Sequence, residues 1–139
     1  MNRVRASEQL KSKTLISIVD DDQSVREAMA RLMKAYGYLA QTFASGAELL
    51  SSNYCARTDC LIADVQMPDM TGLELHGRLV AAGMPIPTIL ITAHPDDSVR
   101  SRAIEAGVLC YLTKPVSEDD LLGCIRSAVV GRDASGRGR

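Results

Sequence analysis

The sequence predicts an α/β domain in which a doubly wound, five-stranded parallel sheet is flanked by five helices. Three observations predict it. Five short runs rich in Ile, Val and Leu recur along the chain. The segments between them place apolar residues at helical spacing. Each connection is also long enough for a crossover, which parallel strands require and a hairpin does not.

In order along the chain, TLISIV (14–19) reads as the first strand and leads into three consecutive acids, Asp20, Asp21 and Asp22. QSVREAMARLMKAYG then sets Val25, Met29, Leu32 and Met33 on one helical face and ends on Gly37, a natural C-cap. YLAQTF (38–43) is a second strand, and a short helical pattern follows at 46–52. CLIAD (60–64) is the third strand, followed by a helix at 72–82. Pro85 and Pro87 punctuate the loop into IPTILIT (86–92), the fourth strand. A helix at 96–106, the strand VLCYLT (108–113) and a helix at 118–130 complete the alternation.

A chain of 139 residues suits one domain with a single core region. The formal net charge of −1 conceals an acidic centre. Residues 1–13 carry Arg3, Arg5, Lys11 and Lys13 against Glu8, and residues 131–139 carry Arg132, Arg137 and Arg139 against Asp133, which leaves 14–130 at −6. An acidic body without Trp and with a single Phe lacks both the basic face and the stacking platforms of a nucleic-acid-binding domain. The basic segment 1–13 has no sustained periodicity and RDASGRGR nothing to bury, so 1–13 is expected to be disordered and 131–139 to be a flexible tail or the start of a linker. Cys55, Cys60, Cys110 and Cys124 form no C-x-x-C pair and read as reduced core residues. No apolar run nears the roughly 20 residues that span a bilayer, and the N-terminus lacks a secretory pattern. A soluble, cytoplasmic protein is expected.

In an open parallel sheet, ligands bind beyond the carboxyl ends of the strands, where strand order reverses. Asp20 and Asp21 close the first strand, Asp64 the third and Thr92 the fourth, and Lys114 follows the fifth. Carboxylates brought together this way repel unless a cation neutralises them, and hard oxygen donors with few protein ligands suit Mg2+, which retains waters and bridges to phosphate.

VDDD, ADVQMPDMTG, ITA and YLTKP resemble, in order and spacing, the four signature regions of the receiver domain of bacterial two-component response regulators. The resemblance covers about 14–130 and is nearest to the FixJ-like subgroup. It implies a (βα)5 flavodoxin-like receiver fold with Asp64 as phosphoacceptor and Mg2+ held by Asp20, Asp21, Asp64 and the backbone carbonyl of Gln66. It makes Asp21 the direct ligand of the acidic pair, with Asp20 acting through water. Thr92 would donate its hydroxyl to the phosphoryl group, Lys114 would pair with another phosphoryl oxygen, and Tyr111 would be the switch aromatic. It implies a cis peptide at Lys114–Pro115, and it links the side chains at Gln66 and His94 to the rate of water attack on the phosphoryl group. The implied partners are a histidine kinase and, through residues 96–130, a second copy or an output domain; neither nucleic acid nor membrane is implied as a direct partner of this chain.

Plainer readings exist for each residue. Asp22 precedes the first helix and reads as its N-cap. Thr92 alone would be a buried strand hydroxyl, Lys114 alone a solvated charge, and Tyr111 plain core. His76 reads as a surface helix residue, since neither it nor His94 has Cys or His neighbours at ligand spacing. Two other functions compete with phosphorelay signalling. One is a Mg2+-dependent phosphohydrolase of the haloacid-dehalogenase type, disfavoured because DDDQS lacks that family's D-x-D-x-[TV] signature and Asp64 follows the third strand. The other is a single-domain or degenerate receiver serving as an interaction module, disfavoured by the complete set of acids, Thr and Lys.

Overall fold

The computed structural model describes residues 13–134. Strands β1 (Leu15–Val19), β2 (Leu39–Phe43), β3 (Cys60–Asp64), β4 (Thr88–Thr92) and β5 (Cys110–Thr113) form one sheet in the order β2-β1-β3-β4-β5. Every neighbouring pair is parallel. Helices α1 (Gln23–Ala35), α2 (Gly46–Leu50), α3 (Gly72–Ala81), α4 (Asp97–Glu105) and α5 (Glu118–Ala134) follow the strands in turn. The doubly wound architecture is the expected one, with a 3-10 turn added at Cys55–Arg57 ahead of β3. The tails expected at 1–13 and 131–139 lie largely outside the described residues, and α5 continues to Ala134. Among the described residues no helix is long and apolar enough to cross a membrane.

The period-2 alternation of the strands divides the interior in two. Ile16, Ile18, Ile62, Ile89 and Ile91 meet Ala30 and Met33 of α1 and Leu121, Ile125 and Ala128 of α5. Val19, Leu61, Ala63 and Leu90 belong to the other cluster, with Leu49 of α2, Leu75 and Leu79 of α3 and Ala103 of α4. Covered on both faces, β1, β3 and β4 are buried at every residue, which is why their sequences are continuous apolar runs. The edge strands β2 and β5 are only partly buried. β5 is also shorter than the run 108–113. The Val108 N–H donates to the Ala103 carbonyl, so Val108 belongs to the turn that ends α4.

Local chemistry sets the helix ends. The Asp22 carboxylate accepts from the N–H groups of Ser24 and Val25 at 2.9 and 3.3 Å, the N-cap role expected of it. Gly37 adopts φ 92°, and its N–H and that of Tyr38 close α1 onto the Lys34 and Met33 carbonyls, both at 3.0 Å.

Two expectations are corrected. Cys110 and Cys124 are not reduced core residues: half-buried on β5 and α5, they pair as a disulfide across a Cα separation of 6.6 Å, whereas Cys55 and Cys60 are buried and outside any disulfide, as expected. His76 is not on the surface. It is 4% exposed on the inward stripe of α3 with Gly72, Leu75 and Leu79, and burial lowers its pKa so that the ring is neutral at physiological pH.

Candidate functional site

β1 lies between β2 and β3, so strand order reverses there and a crevice opens at the carboxyl ends of β1 and β3. The β1–β3 register pairs Val19 with Ala63, which brings the next residues, Asp20 and Asp64, side by side. Carboxylate oxygens of Asp20, Asp21 and Asp64 lie within 4.8 Å of one another; Asp21 is exposed, the other two buried. Lys114, one residue past β5, reaches over them: its Nζ lies 2.9 Å from Asp64 Oδ2 and 3.3 Å from Asp20 Oδ2.

One lysine does not balance three acids. Burial pushes the Asp20 carboxyl above its ordinary 3.8, and the Asp64 charge adds to this; the Asp22 N–H at 2.8 Å and the Lys114 charge offset it only in part. Burial by itself would depress Lys114, but the hydrogen bond to Asp64 and the charges of both aspartates outweigh it and hold the ammonium above 10.5. Both values rise, but the rise favours the charged form of Lys114 and disfavours that of Asp20, where burial dominates and Lys114, nearer Asp64, compensates only in part.

A carboxyl raised in this way keeps its proton longer in the folded protein than in the unfolded chain. The stability it contributes is complete below pH 3.8 and is lost as pH rises through the folded value, so ionised Asp20 is a cost at neutral pH. Asp20→Asn retains an oxygen for the Asp22 N–H. It is expected to raise the thermal midpoint of the metal-free protein at pH 7, by less at pH 4, as calorimetry at the two pH values would measure.

The far wall of the crevice is built on β4. Thr92 is fully buried; its hydroxyl donates to Gln66 Oε1 at 2.6 Å and accepts from the His94 N–H at 2.9 Å. The Gln66 N–H in turn donates to Asp64 Oδ1 at 3.0 Å. Half-buried Tyr111 packs against the same cluster as Val99, and its Oη accepts from the N–H of Asp96, the N-cap of α4, at 3.3 Å. The Lys114–Pro115 peptide is cis. Between β3 and α3, Asp69 takes φ 70°, with the Met70 N–H donating to the Pro68 carbonyl at 2.7 Å, a tight turn of a kind that Asp tolerates better than most residues.

Asp20, Asp21, Asp64 and Lys114 thus come together directly, and Thr92 joins them through Gln66. Tyr111 contacts the start of α4 instead of the acidic crevice. Asp22 points to α1, and the His94 side chain is exposed. The contact between the Gln66 side chain and Thr92 escapes sequence reasoning, because a residue two places after a strand-ending Asp carries no spacing signal for it.

A doubly wound parallel sheet with an acidic crevice at its switch point and a lysine reaching over it describes a receiver domain of two-component response regulators, and the chain belongs to that family, residues 16–126 matching the response regulator receiver domain. It is 40% identical over 117 residues to the response regulator protein TmoT of Ectopseudomonas mendocina, covering 84% of this chain and 53% of that one. Identity to the response regulator protein TodT of Pseudomonas putida is 39% over 116 residues, 84% of this chain and 51% of that one. The chain therefore spans about half the length of these curated relatives. Among solved structures, response regulator StyR matches with a TM-score of 0.81 at 34% identity, over 91% of this chain and 64% of that one. FixJ-N matches with 0.75 at 29%, over 84% and 93%.

Proposed function

We propose that the domain accepts a phosphoryl group on Asp64 from a histidine kinase, with Mg2+, and switches its α4-β5-α5 surface to control a downstream output such as transcription. The observation that carries this reading is Lys114 Nζ bridging the Asp64 and Asp20 carboxylates beside Asp21. A nucleophile, a fixed cation and a metal-sized group of acids share one crevice.

An Asp64 carboxylate oxygen attacks phosphorus in line; the new O–P bond forms as the bond to the donor's imidazole nitrogen breaks, and no separate general base is required. Lys114, charged at all physiological pH values, pairs with a phosphoryl oxygen, and Thr92 supplies a hydroxyl proton to another. Asp20, Asp21, Asp64 and the Gln66 carbonyl are the groups that would hold Mg2+, and the hard-oxygen character of the set fits that ion. Bound there, Mg2+ neutralises the carboxylates and the charge on the transferring group. The added charge of about −1.5 to −2 biases a two-state rearrangement of the Thr92 loop into α4. Residues 96–130 then meet a second copy or an output domain. The setting is the cytoplasm, and neither nucleic acid nor membrane binds this chain directly.

Acetyl phosphate with Mg2+ should add one acid-stable, base-labile phosphoryl group per chain by intact mass, and excess chelator should prevent it. Labelling that is indifferent to chelator would refute the metal's role. Mg2+ affinity should fall in Asp21→Asn and be little changed in Asp22→Asn, whose carboxylate is occupied with capping α1. Equal loss in both, by titration, would mean that the acidic pair is misassigned.

A further inference from the structure

We propose that the Gln66 side chain is a latch on the switch hydroxyl, holding Thr92 in its resting position and setting how readily the state of Asp64 reaches α4. The inference deepens the receiver reading above and rests on it. Its basis is a count of protons. The Thr92 hydroxyl has one, and it is committed to Gln66 Oε1 at 2.6 Å while the His94 N–H occupies the oxygen at 2.9 Å. A hydroxyl in that arrangement has nothing left to donate. To donate to a phosphoryl oxygen, Thr92 must release Gln66.

The same residue touches the other end of the switch, since the Gln66 N–H donates to Asp64 Oδ1 at 3.0 Å. Gln66 therefore spans from phosphoacceptor to switch hydroxyl, main chain on one and side chain on the other. Thr92 is fully buried, so its hydroxyl has no water to turn to, whereas the Gln66 amide is exposed and can be resolvated when released. A charged phosphoryl oxygen is a stronger acceptor than a neutral amide, and so the latch yields on phosphorylation but resists before it. Gln66 acts through Thr92 and is a positioning residue.

The test is the affinity for beryllofluoride with Mg2+, read by amide chemical shifts, in the parent, Gln66→Met, Thr92→Val and the double variant. Gln66→Met keeps length and the main-chain carbonyl but removes the acceptor. The affinity is expected to rise about two- to tenfold, the range of a single net hydrogen bond. In the absence of ligand, the amides of 96–106 should move toward their beryllofluoride-bound positions. In the Thr92→Val background the same Gln66 change should have no effect, and in Thr92→Ser, which restores a hydroxyl, the effect should return. An equal effect of Gln66→Met with and without the Thr92 hydroxyl, or no effect in either, overturns the latch while beryllofluoride binding by the parent leaves the receiver reading standing. A parent that binds no beryllofluoride overturns both.

Discussion

Asp64→Asn is expected to abolish phosphoryl uptake from acetyl phosphate while leaving the fold intact. The amide has no anionic oxygen with which to attack phosphorus, so the loss should be complete at the detection limit of intact-mass measurement. The fold should survive because the local bonds have substitutes. Asn Oδ1 can still accept from the Gln66 N–H, and Lys114 keeps Asp20 as a partner at 3.3 Å. The charge that adds to the burial-driven rise of the Asp20 pKa also disappears, easing the repulsion in the crevice. Far-ultraviolet circular dichroism and the thermal midpoint check the fold, and continued labelling at the parent rate would show that Asp64 is not the acceptor.

The placement of Asp20, Asp64, Thr92 and Lys114 was legible because each stands at the carboxyl end of an apolar run, Asp64 and Thr92 closing β3 and β4 and Asp20 and Lys114 directly following β1 and β5, and strands covered on both faces, as β1, β3 and β4 are, read as continuous apolar segments up to that end. The Asp22 cap was legible because it is made within three residues. Contacts between elements were not. Gln66 with Thr92 and Cys110 with Cys124 are meetings of residues 26 and 14 positions apart, with no period or motif to announce them. Cys110 misled because an apolar run suggests a core strand, while β5 is an edge whose residues are half-buried or exposed. His76 misled in the opposite sense. Gly72, Leu75, His76 and Leu79 fall at i, i+3, i+4 and i+7, so the helical stripe marks position 76 as inward even though the residue type suggests solvent.

Two glycines of α3 should respond to the same substitution with opposite signs. Gly72 opens the helix against the end of β3: a Cβ there would lie 2.5 Å from the Asp64 carbonyl oxygen and 2.9 Å from Leu90 Cδ2. The oxygen belongs to the backbone that carries the phosphoacceptor and cannot swing aside as a side chain would. Gly72→Ala is therefore expected to cost about 1–3 kcal/mol, the scale of overpacking a filled interior. Because Asp64 is the atom group that must move, labelling by acetyl phosphate should slow as well. A Cβ at exposed Gly77 meets nothing within 4 Å, so the balance there is set by backbone entropy alone. Gly77→Ala is expected to gain about 0.5–1 kcal/mol and to leave labelling unchanged. Urea unfolding of the three proteins measures both effects. If Gly72→Ala proves as benign as Gly77→Ala, the close approach of α3 to the Asp64 backbone is not what holds the phosphoacceptor in place.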